Sequence, residues 1–128
     1  MQLNTHLGIN PTLCGVPEAL GEGTATVTLA TTEAMAADAR GLVHGGFVFG
    51  LADYAAMLAV NDPNVVLGSA ETRFTAPVAV GQSVTATATQ TAVKGRKHTV
   101  VVVASVGEKV VFSGTFTAFV LDGHVLDG

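Results

Sequence analysis

The feature that most constrains this chain is an apolar stretch interrupted by a single acidic residue. Between Phe47 and Val60, Asp53 is the only charged side chain, and no hydrophilic face recurs at helical spacing. A helix of this kind is surrounded by protein, because any exposed side of it would place apolar groups in water. The asparagine and proline of segment 61–64 end it. The sequence therefore predicts one long buried helix over residues 47–60.

The aspartate in this helix has two interpretations. An ionised carboxylate among apolar groups is costly unless it is paired or hydrogen-bonded. Asp53 therefore either has a structural role, capping a neighbouring loop or facing a small solvent pocket, or serves as a catalytic carboxylate. Just before the helix, Gly45 and Gly46 let the backbone approach a ligand closely. The first amides of a helix lack intrahelical partners and carry the positive end of its dipole. They suit a carbonyl oxygen that becomes negative during acyl transfer, which favours the catalytic interpretation.

The spacing between Gly46 and Asp53 predicts how two chains assemble. Asp53 follows Gly46 by seven residues, which corresponds to about 10 Å along a helix axis. One side chain does not bridge that gap to a carbonyl bound at the start of its own helix. Two antiparallel helices related by a two-fold axis are the simplest arrangement that brings both groups to one bond. The sequence thus predicts a composite site in a dimer.

Composition limits the classes of function. The chain has 128 residues, of which 12% are charged, with a net charge of −4; this predicts one domain over residues 1–128. The charged fraction is about half the usual share, which favours an oligomer, and the acidic balance argues against nucleic-acid binding. Cys14 is the only cysteine, so an internal disulfide is excluded; we interpret it as a small core residue.

No targeting or membrane segment is expected from the sequence. The N-terminus lacks a basic start followed by an apolar run, so we expect no signal peptide. The helix over 47–60 is too short and carries an aspartate, which argues against a membrane span. Together with the single cysteine, these features predict a cytoplasmic protein without a membrane partner.

The rest of the chain reads mainly as strands. Alternating polar and apolar residues, as in Thr24–Leu29, have the period of a half-buried strand. The predicted strands cover 13–20, 24–30, 65–74, 82–93, 98–106 and 109–121. Short links, Ala79–Gly81 among them, suggest that the last four form an antiparallel meander. The layout is α+β, a sheet wrapped around one helix.

Two motifs in this layout resemble a known family. The segment Asp38–Gly46, followed by Asp53, resembles the pattern N-x-x-G-x-x-H-G-G with a carboxylate on the next helix, which is typical of hotdog-fold proteins of the PaaI-type acyl-CoA thioesterase group. Phe74–Pro77 with Gly81 resembles the second-strand signature of that group. The resemblance covers residues 23–119. It implies a hotdog fold, a homodimer or dimer of dimers, an acyl-CoA substrate, and no cofactor beyond the coenzyme A of that substrate.

The same resemblance implies roles for individual residues. Asp53 would be the base or the nucleophile, the Gly46 amide would polarise the thioester carbonyl, and His44 would orient the loop or the carbonyl. Asp38 stands where the pattern often has asparagine. A carboxylate accepts hydrogen bonds but cannot donate one unless it is protonated, so Asp38 would position water only as an acceptor.

A second resemblance favours a different function. Gly95-Arg96 and the segment 106–116 are similar to the effector domain of bacterial fatty-acid-synthesis repressors, hotdog domains that bind malonyl-CoA without hydrolysing it. The alternative function is therefore a non-catalytic acyl-CoA-binding or sensing protein. A hydratase of related fold is a third possibility, but neither of the helix patterns resembling such sites occurs here.

Further candidates concern ligand binding rather than chemistry. Gly45 would let the ligand approach, and Arg73, Arg96 and Lys97 are candidates for the coenzyme A phosphates, which clustered cations bind well. Three of the six basic residues lie in segment 94–97, which is equally typical of a solvated turn. The four histidines, at 6, 44, 98 and 124, lack metal-ligand spacing, so no metal site is predicted. No serine lies in a G-x-S-x-G elbow.

Overall fold

The computed structural model, which describes residues 1–128, contains one antiparallel sheet and one long helix. This confirms the α+β class. The helices are α1 (Pro11–Cys14) and α2 (Gly45–Val60), with 3-10 turns at Glu33–Met35 and Val125–Asp127. The strands are β1 (Val16–Gly21), β2 (Thr24–Ala30), β3 (Val65–Phe74), β4 (Ser83–Lys94), β5 (Lys97–Val106) and β6 (Lys109–Val120).

The six strands are arranged in the order β1-β2-β4-β5-β6-β3. The predicted meander is correct for β4, β5 and β6, which tight turns join at Gly95 and Gly107, both with positive φ. It is wrong for β3, which pairs with β6 instead of β4. The physical reason is the link over residues 75–82, which crosses the start of α2 and lets β4 pair with β2. As a result β3 forms an edge of the sheet beside the helix start.

Helix α2 is packed against the sheet, as its apolar sequence predicts. Its buried residues are Val48, Leu51, Ala52, Tyr54, Ala55, Ala56, Met57, Leu58 and Ala59. The opposing buried side chains of β2 and β4 are Ala25, Val27, Leu29, Val84, Ala86 and Ala88. Alanines on both sides allow the helix and the sheet to approach closely, as the dense packing of protein interiors requires. None of these opposing residues is polar, so none of them can donate a hydrogen bond from its side chain to the one carboxylate on the helix.

The structure corrects two predicted boundaries. Helix α2 begins at Gly45, two residues earlier than the predicted Phe47, so both glycines belong to its first turn. Residues 13 and 14, predicted to open a strand, belong to α1, because the Asn10 side chain accepts a hydrogen bond from the Thr12 amide at 2.9 Å and Pro11 follows it. An asparagine cap followed by proline favours a helical turn.

The N-terminal segment, residues 2–9, lies along the second half of α2. The Asn61 side chain, at the left-handed residue that ends the helix, accepts from the Asn4 amide and donates to the Gln2 carbonyl, each at 2.8 Å. The His6 ring stacks on Tyr54 with a centroid distance of 6.1 Å. The segment thereby covers the helix between Tyr54 and Asn61. None of the helices has the length and apolar character needed to cross a membrane.

Candidate active site

Asp53 is the unusual group of this helix. Its side chain is half-buried, and Oδ1 is buried without any hydrogen-bond partner. Burial raises the pKa of this carboxyl from 3.8 to about 6, because the charged form loses hydration and finds no donor in exchange. A loop-capping role for Asp53 would require backbone donors, and there are none. The carboxylate is therefore available to accept a proton.

Cys14 is the titratable neighbour from α1. It is half-buried and packed against the core rather than enclosed in it, so the core interpretation holds only in part. Burial raises the pKa of its thiol, and the charge of Asp53 raises it further. A thiol with a raised pKa is a poor nucleophile. Cys14 therefore has no feature of an activated nucleophile, and Asp53 remains the catalytic candidate of this region.

His44 caps the first turn of α2. Its Nδ1 accepts a hydrogen bond from the Gly46 amide at 2.7 Å, so the proton of the neutral ring lies on Nε2. The ring is exposed and lies edge-to-face with Phe47. The structure thus brings together two sequence candidates, His44 and Gly46, in one contact. The Gly46 amide is already occupied by this cap.

We expect His44→Ala to lower the free energy of unfolding by about 1 kcal/mol, the usual contribution of an N-cap. His44→Asn is the matched control, because asparagine supplies a good cap acceptor and should retain most of the stability. Urea unfolding followed by circular dichroism measures both. Equal stability of the alanine variant and the wild-type chain would show that the cap contributes nothing.

Asp38 organises the loop that leads to the helix. One carboxylate oxygen, Oδ1, accepts from the amides of Arg40 at 2.9 Å and Leu42 at 3.2 Å. Both bonds need an acceptor only, and an asparagine side-chain oxygen would make them equally well. The exchange of asparagine for aspartate relative to the family pattern therefore fits the local geometry. Asp38 borders an open cavity of about 520 Å³ with Arg40 and Gln82; this cavity adjoins an apolar cavity beside the start of α2, with which it shares Leu42, Pro77 and Val78.

An apolar cavity of about 390 Å³ lies next to Gly45. It is lined by Leu42, Val43, Gly45, Val48, Phe74, Thr75, Ala76, Pro77, Val78 and Val111. Gly45 and the Phe74–Pro77 motif were candidates from the sequence, but the valines were not; these come from segment 43–48, the link after β3 and strand β6. No sequence pattern indicates that these valines are neighbours. They meet because the link over residues 75–82 crosses the start of α2.

The basic candidates do not form one cluster. Arg73 is exposed on the outer face of the sheet, where it borders a polar groove with Glu71. Arg96 forms an exposed ion pair with Asp122. Arg73 on β3 and Val103 on β5 both pair with the same residue of β6. Val103 is six residues from Lys97 along β5, so Arg73 and Lys97 are about 20 Å apart along the strand direction. Within one chain, Arg73 is on the side of the helix start, while Arg96 and Lys97 are at the far end.

His98 lies at the start of β5. From its place beside a strand start the sequence suggests a surface residue, but His98 is half-buried, and its Nδ1 is 2.7 Å from the Gln90 side-chain oxygen. The cross-strand partner on β4 accounts for this burial. The histidine stabilises a hairpin and lies with the basic turn, away from the helix start.

Comparison with known proteins identifies the family. Residues 56–124 match the model of a family described as fluoroacetyl-CoA-specific thioesterase. The matched residues are more than half of the chain, and the chain belongs to this family of thioesterases.

Solved structures agree with this assignment. An uncharacterized protein of Pyrococcus horikoshii is 50% identical, with a TM-score of 0.98 over 99% of this chain and 98% of its own. A mutant of the phenylacetic acid degradation protein PaaI from Thermus thermophilus is 31% identical, with a TM-score of 0.78 over 85% of this chain and 95% of its own. The predicted hotdog fold and the PaaI-type group are thereby confirmed.

Two curated relatives are longer proteins. Methylthioribose-1-phosphate isomerase of Aquifex aeolicus is 51% identical over 123 residues, 95% of this chain and 27% of the relative. Transcription factor FapR of Bacillus velezensis is 41% identical over 80 residues, 61% of this chain and 43% of the relative. The chain spans about a quarter of the first and less than half of the second. Their names describe those whole proteins.

Proposed function

We propose that this protein hydrolyses acyl-CoA thioesters at a site shared between two protomers, with Asp53 as the base. The observation that carries the proposal is the unpartnered, half-buried Asp53 carboxylate on an otherwise apolar helix. Membership in a thioesterase family supports the reaction class. The proposal needs no cofactor beyond the coenzyme A of the substrate, and it places the protein in the cytoplasm, where acyl-CoA is made and used.

The surface of α2 supports a shared site. Gly46, Gly50 and Asp53 follow one another at spacings of four and three residues, so they lie on one face of the helix. A methyl group built at Gly50 would meet no atom within 4 Å, which leaves this face open. Small residues at such a spacing allow a second helix backbone to approach closely. The free edge of β3 beside it offers unpaired backbone groups to the same partner.

In the proposed reaction, the thioester carbonyl lies at the α2 start of one protomer, and Asp53 of the other protomer removes a proton from water. The water oxygen attacks the carbonyl carbon, and the carbonyl electrons move to the oxygen. Collapse of this intermediate breaks the C–S bond, and the thiolate leaves and takes up a proton. The products are a carboxylic acid and free coenzyme A. Amides fixed at a helix start stabilise the oxyanion without reorganisation.

The cap of the helix sets a condition on this mechanism. Because the Gly46 amide donates to His44 Nδ1 in the ligand-free protein, a carbonyl oxygen must displace or share that bond. The exposed ring can turn away, and the incoming oxygen then satisfies the amide in its place. Direct attack by Asp53 on the carbonyl carbon is the variant mechanism. It would form a mixed anhydride that water hydrolyses in a second step.

The test of the proposal is thiol release from a panel of CoA thioesters, followed between pH 5 and pH 8. Since only the ionised carboxylate accepts a proton, and burial raises the pKa of Asp53 to about 6, kcat/KM should increase through that pH and level off above it. Asp62→Asn, a change at a carboxylate in the loop after α2, is the control and should keep the profile. Absence of thiol release with every thioester would rule out the proposed function.

Binding without hydrolysis is the second candidate function. The observation in its favour is the 41% identity with the transcription factor FapR over 80 residues. Occupation of the Gly46 amide by His44 is also compatible with a protein that binds without catalysing. A ligand-induced increase in melting temperature without any thiol release would support this candidate over the thioesterase.

A further inference from the structure

The apolar cavity beside the start of α2 has the size of a small ligand site. Its volume of about 390 Å³ is near the lower end of the range of about 300 to 1,000 Å³ that small-molecule pockets occupy. Four buried valines form its wall: Val43, Val48, Val78 and Val111. Phe74 and Leu42 are partly exposed at its rim. The cavity therefore has a buried apolar wall and opens to solvent at its rim.

The cavity has no charged side chain among its lining residues. Its one side-chain hydroxyl belongs to Thr75 and donates to the Val110 carbonyl at 3.0 Å. A carboxylate inside the cavity would therefore lose its hydration without gaining a cation or a free donor, which is a large cost. An uncharged apolar group meets no such cost and gains from burial.

Phe74 lines this cavity beside the helix start. It is the last residue of β3, and its ring packs edge-to-face on Phe112 at a centroid distance of 5.1 Å. A ring atom is 3.2 Å from the position that a side chain at Gly45 would occupy. The absence of a side chain at Gly45 thus makes room for the ring. Although Phe74 is 55% exposed, its ring packs against Phe112 on one side and against the backbone of Gly45 on the other.

We propose that this cavity receives the acyl end of the thioester, and that Phe74 selects compact, uncharged acyl groups over acyl groups that end in a carboxylate. The inference rests on the proposed function, because it places the thioester carbonyl at the amides of Gly45 and Gly46. The substituent of that carbonyl then extends over the Phe74 ring into the valine wall. The site favours short apolar acyl thioesters over dicarboxylic ones such as malonyl-CoA.

Calorimetric binding to the Asp53→Asn chain tests the inference without hydrolysis. Butanoyl-CoA and malonyl-CoA share the same coenzyme A and have acyl groups of similar length, so their difference in affinity reports on the terminal carboxylate. We expect butanoyl-CoA to bind about tenfold more tightly or better. A second substitution, Phe74→Ala, should lower butanoyl-CoA affinity about tenfold and leave malonyl-CoA unchanged. Phe74→Leu should keep most of the preference.

Two further variants complete the experiment. Val103→Ala, on the outer face of the sheet and 40% exposed, is the matched control and should change neither affinity. Leu42→Arg places a guanidinium at the rim and should raise malonyl-CoA affinity about tenfold. Because this is a gain of binding, it remains informative if the Phe74→Ala chain fails to fold.

Equal or tighter binding of malonyl-CoA by the parent chain would overturn the inference, as would equal losses for both ligands in Phe74→Ala. The experiment also separates the inference from the proposed function. If the Asp53→Asn chain binds selectively but the wild-type chain releases no thiol, the proposed thioesterase function is wrong and the proposed selectivity is supported. If the wild-type chain releases thiol but binding is unselective, the proposed function is supported and the selectivity is wrong.

Discussion

Asp53→Asn is expected to abolish thiol release while making the protein more stable at neutral pH. Asparagine cannot accept a proton from water, so turnover should decrease by about 10²- to 10⁴-fold, the usual contribution of a general base. The substitution also removes a charge that the folded chain holds at a cost. Purified variants assayed for free thiol at pH 7.5, and unfolded in urea at pH 4 and pH 7, provide both readouts.

The sign of the stability change follows from the direction of the pKa shift. The pKa of Asp53 is raised to about 6 in the folded chain from 3.8, so the folded state binds this proton more tightly than the unfolded state. The free energy of unfolding therefore decreases as pH rises from about 4 to about 6 and stays lower above that range. Asparagine should add about 1 to 2 kcal/mol at pH 7, after allowance for partial exposure.

The gain in stability should be small at pH 4, because the folded chain carries the proton there and the unfolded chain, with a pKa of 3.8, carries it in part. Asp62→Asn is the control: Asp62 accepts a hydrogen bond from the Asn64 amide at 2.8 Å, an asparagine oxygen keeps that bond, and this variant should not gain stability at pH 7. Full thiol release by the Asp53→Asn chain would remove Asp53 from the chemical step. A loss of stability at pH 7 would show that the carboxylate has a donor in solution.

Mixing two inactive variants is expected to restore activity. Gly46→Pro removes the amide at the helix start; it gives up the bond to His44 Nδ1, but the first helical turn tolerates proline because its amides make no intrahelical bond. In a heterodimer with Asp53→Asn, one site combines the intact helix start of one chain with the intact carboxylate of the other. Random mixing should give about a quarter of the wild-type thiol release, since half of the dimers are mixed and each has one intact site.

Each variant refolded alone is the control for this experiment and should stay inactive. Native mass spectrometry of the mixture measures the fraction of heterodimers independently of activity. Heterodimers present without any recovery of thiol release would place Asp53 and the helix start of the same chain in one site. A monomeric wild-type protein would exclude a shared site altogether.

The helix and most strands could be predicted from sequence because their signals are local. The apolar run around Asp53 has no polar face, and the alternation in β2 and β4 is regular, so type and approximate bounds followed directly. The position of β3 could not be predicted. Its pairing with β6 depends on how far the link over residues 75–82 travels, which no local pattern records.

The candidate site also has features that could be predicted from local sequence and features that could not. The glycines, His44 and Asp53 were found because they lie in one short segment with recognisable chemistry. The occupation of the Gly46 amide by His44 depends on a side-chain conformation, and the raised pKa of Asp53 depends on its burial in the folded chain, so neither could be read from residue types. Asp38 was expected to affect catalysis, whereas its contacts are those of a loop acceptor.

The covering of α2 by residues 2–9 has a consequence for the order of assembly. The half of the helix from Tyr54 to Asn61 receives its cover from its own chain, while the half that carries Gly50 has open space beside that residue. In the dimer proposed here, one chain can thus complete most of its fold before it meets another. Refolding then separates into a first phase that is independent of protein concentration and a second that accelerates with it.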